Sequence, residues 1–246
     1  MDKTQKKISP TRINRFVSVA GKETPFAYVE AFKTLRTNLS FLSNAGGVRS
    51  VLITSAVPEE SKSTTAINLA ITMASGGQRV VLVECDLRKP VLRKYLKREL
   101  GQSGLATYLA GVVGLEDCIV ELPDLGFSVI PAGVIPPNPS ELLNTPRMQE
   151  LIEILKRNYD CVLLDAPPVT VVTDAAVVGR MTDGAVLVVR SKFASARTVR
   201  LAKSRLEAVG IRVLGGVLTR FNMRQSGWRS GYDYKNYMYG YSARKR

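Results

Sequence analysis

Six strand-length apolar runs, five of them leading into helix-period segments, constrain this chain more than any other feature. They are residues 50–55 (SVLITS), 79–84 (RVVLVE), 127–131 (FSVIP), 160–165 (DCVLLD), 184–189 (GAVLVV) and 211–218 (IRVLGGVL). Runs apolar on both faces suit parallel strands covered from two sides, because each crossover helix must return the chain over the sheet. The expected fold is α/β, a mostly parallel sheet with helices on both faces. The expected helices are 26–43, KSTTAINLAITMASGG, DLRKPVLRKYL, SELLNTPRMQELIEILKRN, TDAAVVGRM and SARTVRLAKSRLEAVG. Residues 1–24, rich in Lys, Arg, Ser and Thr, read as a flexible basic arm. Residues 25–220 read as one domain, and 221–246 as a flexible, polar, tyrosine-rich tail. No internal repeat is visible.

Composition narrows the function classes. Of 246 residues, 45% are hydrophobic and 23% charged, as in a globular core with a hydrated surface. The net charge of +14 suits either an anionic partner or a surface kept soluble by charge. Cys85, Cys118 and Cys161 have no metal-ligand spacing and sit among apolar neighbours, so buried thiols in a reducing compartment are expected. The N-terminus is polar and basic, and no apolar run approaches the roughly 20 residues that span a bilayer. A cytoplasmic location is expected, with any membrane attachment borrowed or electrostatic.

Three motifs fall at the ends of the first, second and fourth of these apolar runs. Lys62-Ser63-Thr64 opens a helix directly after the 50–55 run, where a P-loop places its phosphate-binding lysine and Mg²⁺-binding hydroxyl. The consensus glycines are replaced by Ala56 and Ser61, and a lone KST at a helix start also fits a plain helix cap. Glu84 ends the 79–84 run and Asp86 follows it, at the carboxyl edge, where open α/β sheets bind ligands. Two residues apart on a strand, they share a side and could reach one Mg²⁺–phosphate group. Arg88 lies within reach of the same phosphate. Asp165 ends DCVLLD with the form of a Walker B carboxylate. The ordered set points to a P-loop nucleoside triphosphatase.

Five of nine tyrosines, Tyr232, Tyr234, Tyr237, Tyr239 and Tyr241, crowd into the tail without apolar periodicity. They could form a sticky aromatic segment or stack on single-stranded nucleic acid beside Arg224, Arg229 and Lys235. The sharper reading is a set of phospho-acceptors, since several phosphates would turn this tail from basic to acidic.

The combination resembles the bacterial tyrosine kinases (BY-kinases) that regulate capsule and exopolysaccharide synthesis, in particular the separate cytoplasmic catalytic subunits of Gram-positive bacteria. The likeness covers nearly all of residues 25–246, through SAVPEESKSTTAINLA, VVLVECDLRKP and YDCVLLDAPPV. NPSELL at 138–143 and TDA at 173–175 also look like family sequence. The resemblance implies a P-loop kinase domain that uses ATP and Mg²⁺. Glu60, Ser61, Lys62, Ser63 and Thr64 would line the nucleotide, with Lys62 on the β/γ-phosphates and Thr64 on the α-phosphate. Ser63, Glu84, Asp86 and Asp165 would serve the metal. Asp86 would position or deprotonate the incoming tyrosine, and Arg88 would help hold the active loop. The five tail tyrosines would be the autophosphorylation cluster. Glu30, Lys33 and Arg36 resemble the ExxRxxR helix through which such kinases form rings. Implied partners are a homo-oligomer, a transmembrane activator or polysaccharide co-polymerase at the inner face of the membrane, and a cognate tyrosine phosphatase. No nucleic-acid partner is implied.

The chain departs from the family pattern at Ser61 (usually Gly), Glu84 (usually Asp), Lys33 (usually Arg) and Thr219, where an Asn often meets the base. A Cβ at Ser61 is expected to crowd the phosphate and weaken nucleotide binding. Two alternatives remain at this point: a MinD/ParA-type ATPase, or a nucleotide-gated scaffold for a membrane protein. The first usually carries a second lysine five residues before the invariant one, where this chain has Val57, and lacks a tyrosine tail.

Overall fold

The computed structural model describes residues 18–21 and 24–221. Most of the expected arm and, from residue 222, the tail with its five tyrosines lie outside the described residues. In chain order the elements are α1 (Phe26–Gly46), β1 (Ser50–Ser55), α2 (Lys62–Ala74), β2 (Val80–Glu84), α3 (Leu92–Leu96) and α4 (Leu105–Leu109). There follow β3 (Val120–Leu122), β4 (Phe127–Ile130), α5 (Pro139–Leu143), α6 (Pro146–Asn158) and β5 (Cys161–Asp165). The last are α7 (Asp174–Gly179), β6 (Gly184–Arg190), α8 (Ala196–Ala208) and β7 (Val213–Thr219).

The strands form one sheet in the order β3-β4-β2-β5-β1-β6-β7. All neighbours run parallel except β3, which pairs antiparallel with β4 at one edge. Alternate side chains enter two separate apolar layers, which is why the runs are apolar throughout. Leu52, Val81, Val83, Val162 and Leu164 pack with Met148, Leu151 and Ile152 of α6 and Leu206 of α8. Val51, Ile53, Val80, Leu82 and Leu163 face the other way, onto Phe32 and Leu39 of α1 and Ile67, Leu69 and Ile71 of α2. Each such burial contributes about 1.5–3 kcal/mol, so the central strands form a stiff platform. The three cysteines are buried and free, as expected. Burial pushes the Cys161 thiol up to about 12, leaving it inert.

Three expectations needed correction. SELLNTPRMQELIEILKRN is two helices, not one, because Thr145 is extended (φ −98°, ψ 153°) ahead of Pro146. DLRKPVLRKYL is helical only over Leu92–Leu96, since Asp86–Lys89 form a turn before Pro90. The strand β3 was not anticipated. Among the described residues no helix is long and apolar enough to cross a membrane.

Candidate active site

The sheet order brings the three motifs together. β5 lies between β1 and β2, with Asp165 level with Ile53 on one side and Glu84 on the other. The loop after β1, the turn after β2 and the end of β5 therefore converge at one carboxyl edge. The loop from Ala56 to Ser61 wraps tightly into α2. Glu59 (φ 66°) and Ser61 (φ 74°) both adopt the left-handed region that glycine would occupy without strain. Glu60 is fully buried and ties the loop down: its carboxylate accepts the Val57 N–H at 3.0 Å and the Arg190 N–H at 3.1 Å. The Thr219 hydroxyl donates to the Glu60 carbonyl at 3.0 Å, so that position also braces the loop.

Lys62 is the centre of the cluster. Its ammonium lies 3.0 Å from Asp86 Oδ2 and 3.4 Å from Asp165 Oδ1, and donates to Ser63 Oγ at 3.3 Å. Burial alone would lower its pKa, but the charges of Asp165 and Asp86 outweigh that and hold it above the usual lysine value. Asp165 is fully buried, and burial pushes its carboxyl above the usual range against the pull of Lys62. Asp86 Oδ1 accepts the Lys89 N–H at 3.1 Å, which fixes the carboxylate at the start of its turn.

These residues suit a magnesium–phosphate group. Asp165 Oδ2 is buried and has no hydrogen-bond partner among the described residues, an acceptor left open beside Ser63. No group of three or more His, Cys, Asp or Glu among the described residues could hold a metal by itself. Mg²⁺ keeps waters and substrate phosphates as ligands and needs only one or two carboxylates from a protein.

Two expected site residues face elsewhere. Glu84 Oε1 accepts the N–H groups of Val91 (2.6 Å) and Leu92 (2.8 Å), and Oε2 accepts that of Ala132 (3.1 Å). Burial still raises its pKa. Its oxygens are thus committed to backbone, apart from the lysine cluster. Arg88 does not reach the lysine cluster either. Its guanidinium forks onto Asp174, with Nε–Oδ2 2.8 Å and Nη2–Oδ1 3.1 Å, and donates to Ser140 Oγ at 2.7 Å. Sequence reading marked both segments, as NPSELL and TDA, but assigned neither side chain a task. On α1, exposed Lys33 pairs with Glu30 at 2.7 Å, while Arg36 donates to the Thr72 carbonyl of α2 at 2.9 Å. Thr64 is half-buried in the first turn of α2.

Comparison with known proteins agrees with this geometry. The profile of a family described as AAA domain matches residues 60–203. The chain is 38% identical over 189 residues to the tyrosine-protein kinase YwqD of Bacillus subtilis, covering 77% of this chain and 79% of YwqD. Other tyrosine-protein kinases matched at 34–38% identity are longer, and this chain spans 27–33% of their length. The solved kinase domain of Escherichia coli tyrosine kinase ETK superposes with a TM-score of 0.75 at 37% identity, covering 79% of this chain and 77% of that one. The septum site-determining protein MinD of Pyrococcus horikoshii, complexed with Mg-ADP, gives 0.61 at 25% identity over 69% of each chain. Both neighbours share this fold, and the YwqD match and the ETK superposition decide between them: this chain belongs to the bacterial tyrosine-kinase family and is a protein-tyrosine kinase.

Proposed function

We propose that the enzyme transfers the γ-phosphate of Mg²⁺-ATP to tyrosines of its own C-terminal segment, Tyr232, Tyr234, Tyr237, Tyr239 and Tyr241, and that this cycle regulates capsular or extracellular polysaccharide synthesis. The observation that carries the reading is Lys62 held 3.0 Å from Asp86 and 3.4 Å from Asp165 at the mouth of a strained phosphate loop. With nucleotide bound, Lys62 leaves the carboxylates for the β/γ-phosphates, and the amides opening α2 face the same oxygens. Ser63 and Asp165 would hold Mg²⁺, with Asp86 beside them, and the metal would supply charge neutralisation at the phosphates. Asp86, released from Lys62, orients the phenol and takes its proton. The phenolic oxygen bonds to the γ-phosphorus as the bond to the β-phosphate oxygen breaks, and ADP leaves. Positioning and charge supply the catalysis, as in phosphoryl transfer generally.

Family membership supports the wider assignments. The protein works as a homo-oligomer assembled through α1 at Glu30, Lys33 and Arg36. It acts at the inner face of the membrane with a transmembrane activator or polysaccharide co-polymerase, and a tyrosine phosphatase resets it. Purified protein with Mg²⁺-ATP, with and without an activator segment, analysed by mass spectrometry, tests the core of this. Phosphotyrosine confined to the tail and lost in Lys62→Met is the expected result. Equal phosphotyrosine in Lys62→Met overturns the assignment.

A further inference from the structure

We propose that Asp174 is a positioning residue for Asp86, acting through Arg88, with Ser140 as the third member of the clamp. The inference rests on the kinase reading and adds to it a residue 86 positions from Arg88. Asp174 is a fully buried carboxylate on the first turn of α7. A buried charge is retained only when paired and hydrogen-bonded, and here one arginine meets both of its oxygens while the Ser140 hydroxyl donates to Oδ1. Arg88 stands two residues after Asp86, and Leu87 between them is completely buried. The turn is therefore pinned on both sides: by Lys62 and the Lys89 N–H at Asp86, and by the fork at Arg88.

The clamp also joins three loops that leave the carboxyl edge. Arg88 follows β2, Ser140 follows β4 at the start of α5, and Asp174 follows β5 at the start of α7. Asp86 must stay in place when Lys62 moves to phosphate, since it then loses its ion pair with that lysine. The Lys89 N–H and the Arg88–Asp174 fork then hold the turn, and the fork ties it to another element. The planar fork sets direction as well as distance, which a lysine cannot do.

The test uses the full-length protein with Asp174→Asn and, because a buried substitution can fail to fold, the half-exposed Arg88→Lys. In both, kcat should fall about 100-fold, the scale of a displacement near 1 Å in a reacting group. The KM for ATP should stay within about threefold, because the phosphate loop is untouched. The double variant should fall no further than the worse single one, as for residues acting as a unit. The Lys89 amide should lose protection from hydrogen exchange, while the core strands keep theirs. Wild-type kcat in both variants, or additive losses in the double variant, overturns the proposal. If wild type itself transfers no phosphate to tyrosine, the kinase reading falls alone. Amide exchange then still decides the clamp, and unchanged Lys89 protection in both variants overturns it.

Discussion

Replacing Ser61 by glycine separates strain stored in folding from strain met on binding. Ser61 sits at φ 74°, ψ 26° and its side chain makes no capping hydrogen bond. Its carbonyl accepts the Thr65 N–H and hydroxyl, both at 2.9 Å, and glycine would keep these. A non-glycine residue in the left-handed region costs about 1–2 kcal/mol. Glycine in turn loses about 0.5–1 kcal/mol through the freedom it adds to the unfolded chain. The net expectation is a gain of about 0.5–1 kcal/mol in stability, or roughly 1–4 °C in Tm for a domain of this size. The sequence-based expectation placed this strain in ATP binding. The left-handed angle is part of the folded loop, whose Ser61 carbonyl is held by Thr65, so most of the relief belongs to folding, and ATP affinity should change by less than about threefold. Urea melts and titration calorimetry on both proteins measure the two quantities. A loss of stability of 1 kcal/mol or more, or a tenfold gain in affinity at unchanged stability, would refute this reasoning.

Lys62→Met removes the counter-charge of two buried carboxylates, which should cost about 3–5 kcal/mol at pH 7. The folded pKa of Asp165 is raised by burial, so folding is favoured by its protonated form and stability falls as pH rises from its unfolded value through its folded one. Without Lys62 that folded value rises further, so the variant should regain stability as pH is lowered from 7, read by urea melts; a pH-independent deficit would contradict this. Glu84→Gln should cost about 1–3 kcal/mol, because an amide cannot accept from Val91, Leu92 and Ala132 together. Its Mg²⁺ requirement, from a titration of kinase rate against Mg²⁺, should match wild type; a several-fold rise would return Glu84 to the metal.

The parts legible from sequence were those with a local signature. Parallel strands buried on both faces announced themselves as apolar runs, and the Lys62, Asp86 and Asp165 motifs followed from their ends. The three residues Val120–Leu122 carry no such run, since β3 is an edge strand with Glu121 exposed. The break at Thr145 could have been read from Pro146, whose ring disfavours a helical residue before it. Glu84 was placed at the metal on strand periodicity, its position at the carboxyl edge and the family resemblance. That periodicity says nothing of the Val91, Leu92 and Ala132 amides that fold back over its carboxylate. The Arg88–Asp174 fork joins residues far apart in sequence, and neither neighbourhood signals the other. Side-chain identity suggested charges at the edge, and only the packed structure shows which charges cancel.

That cancellation bears on how nucleotide and metal enter. One lysine faces two carboxylates, so the formal charges of the cluster sum to −1. When Lys62 turns to the phosphates, Asp86 and Asp165 are left facing a polyanion. Two like charges 4 Å apart repel by about 4 kcal/mol at an effective dielectric of 20, so nucleotide without a divalent ion meets a steep penalty. Mg²⁺ would relieve it by supplying positive charge at Asp165, whose Oδ2 has no hydrogen-bond partner among the described residues. Binding of ATP and Mg²⁺ should therefore be positively coupled, by about 1–3 kcal/mol, or roughly 5–150-fold in affinity. Calorimetric titration of ATP in EDTA and in Mg²⁺ measures this without reference to kinase activity. Asp165→Asn removes one of the repelling charges and the open acceptor together. It should tighten metal-free ATP and weaken the response to Mg²⁺, which collapses the coupling from both sides. Coupling of wild-type size in Asp165→Asn would show that the carboxylates do not set the metal dependence and that the phosphates alone recruit the ion.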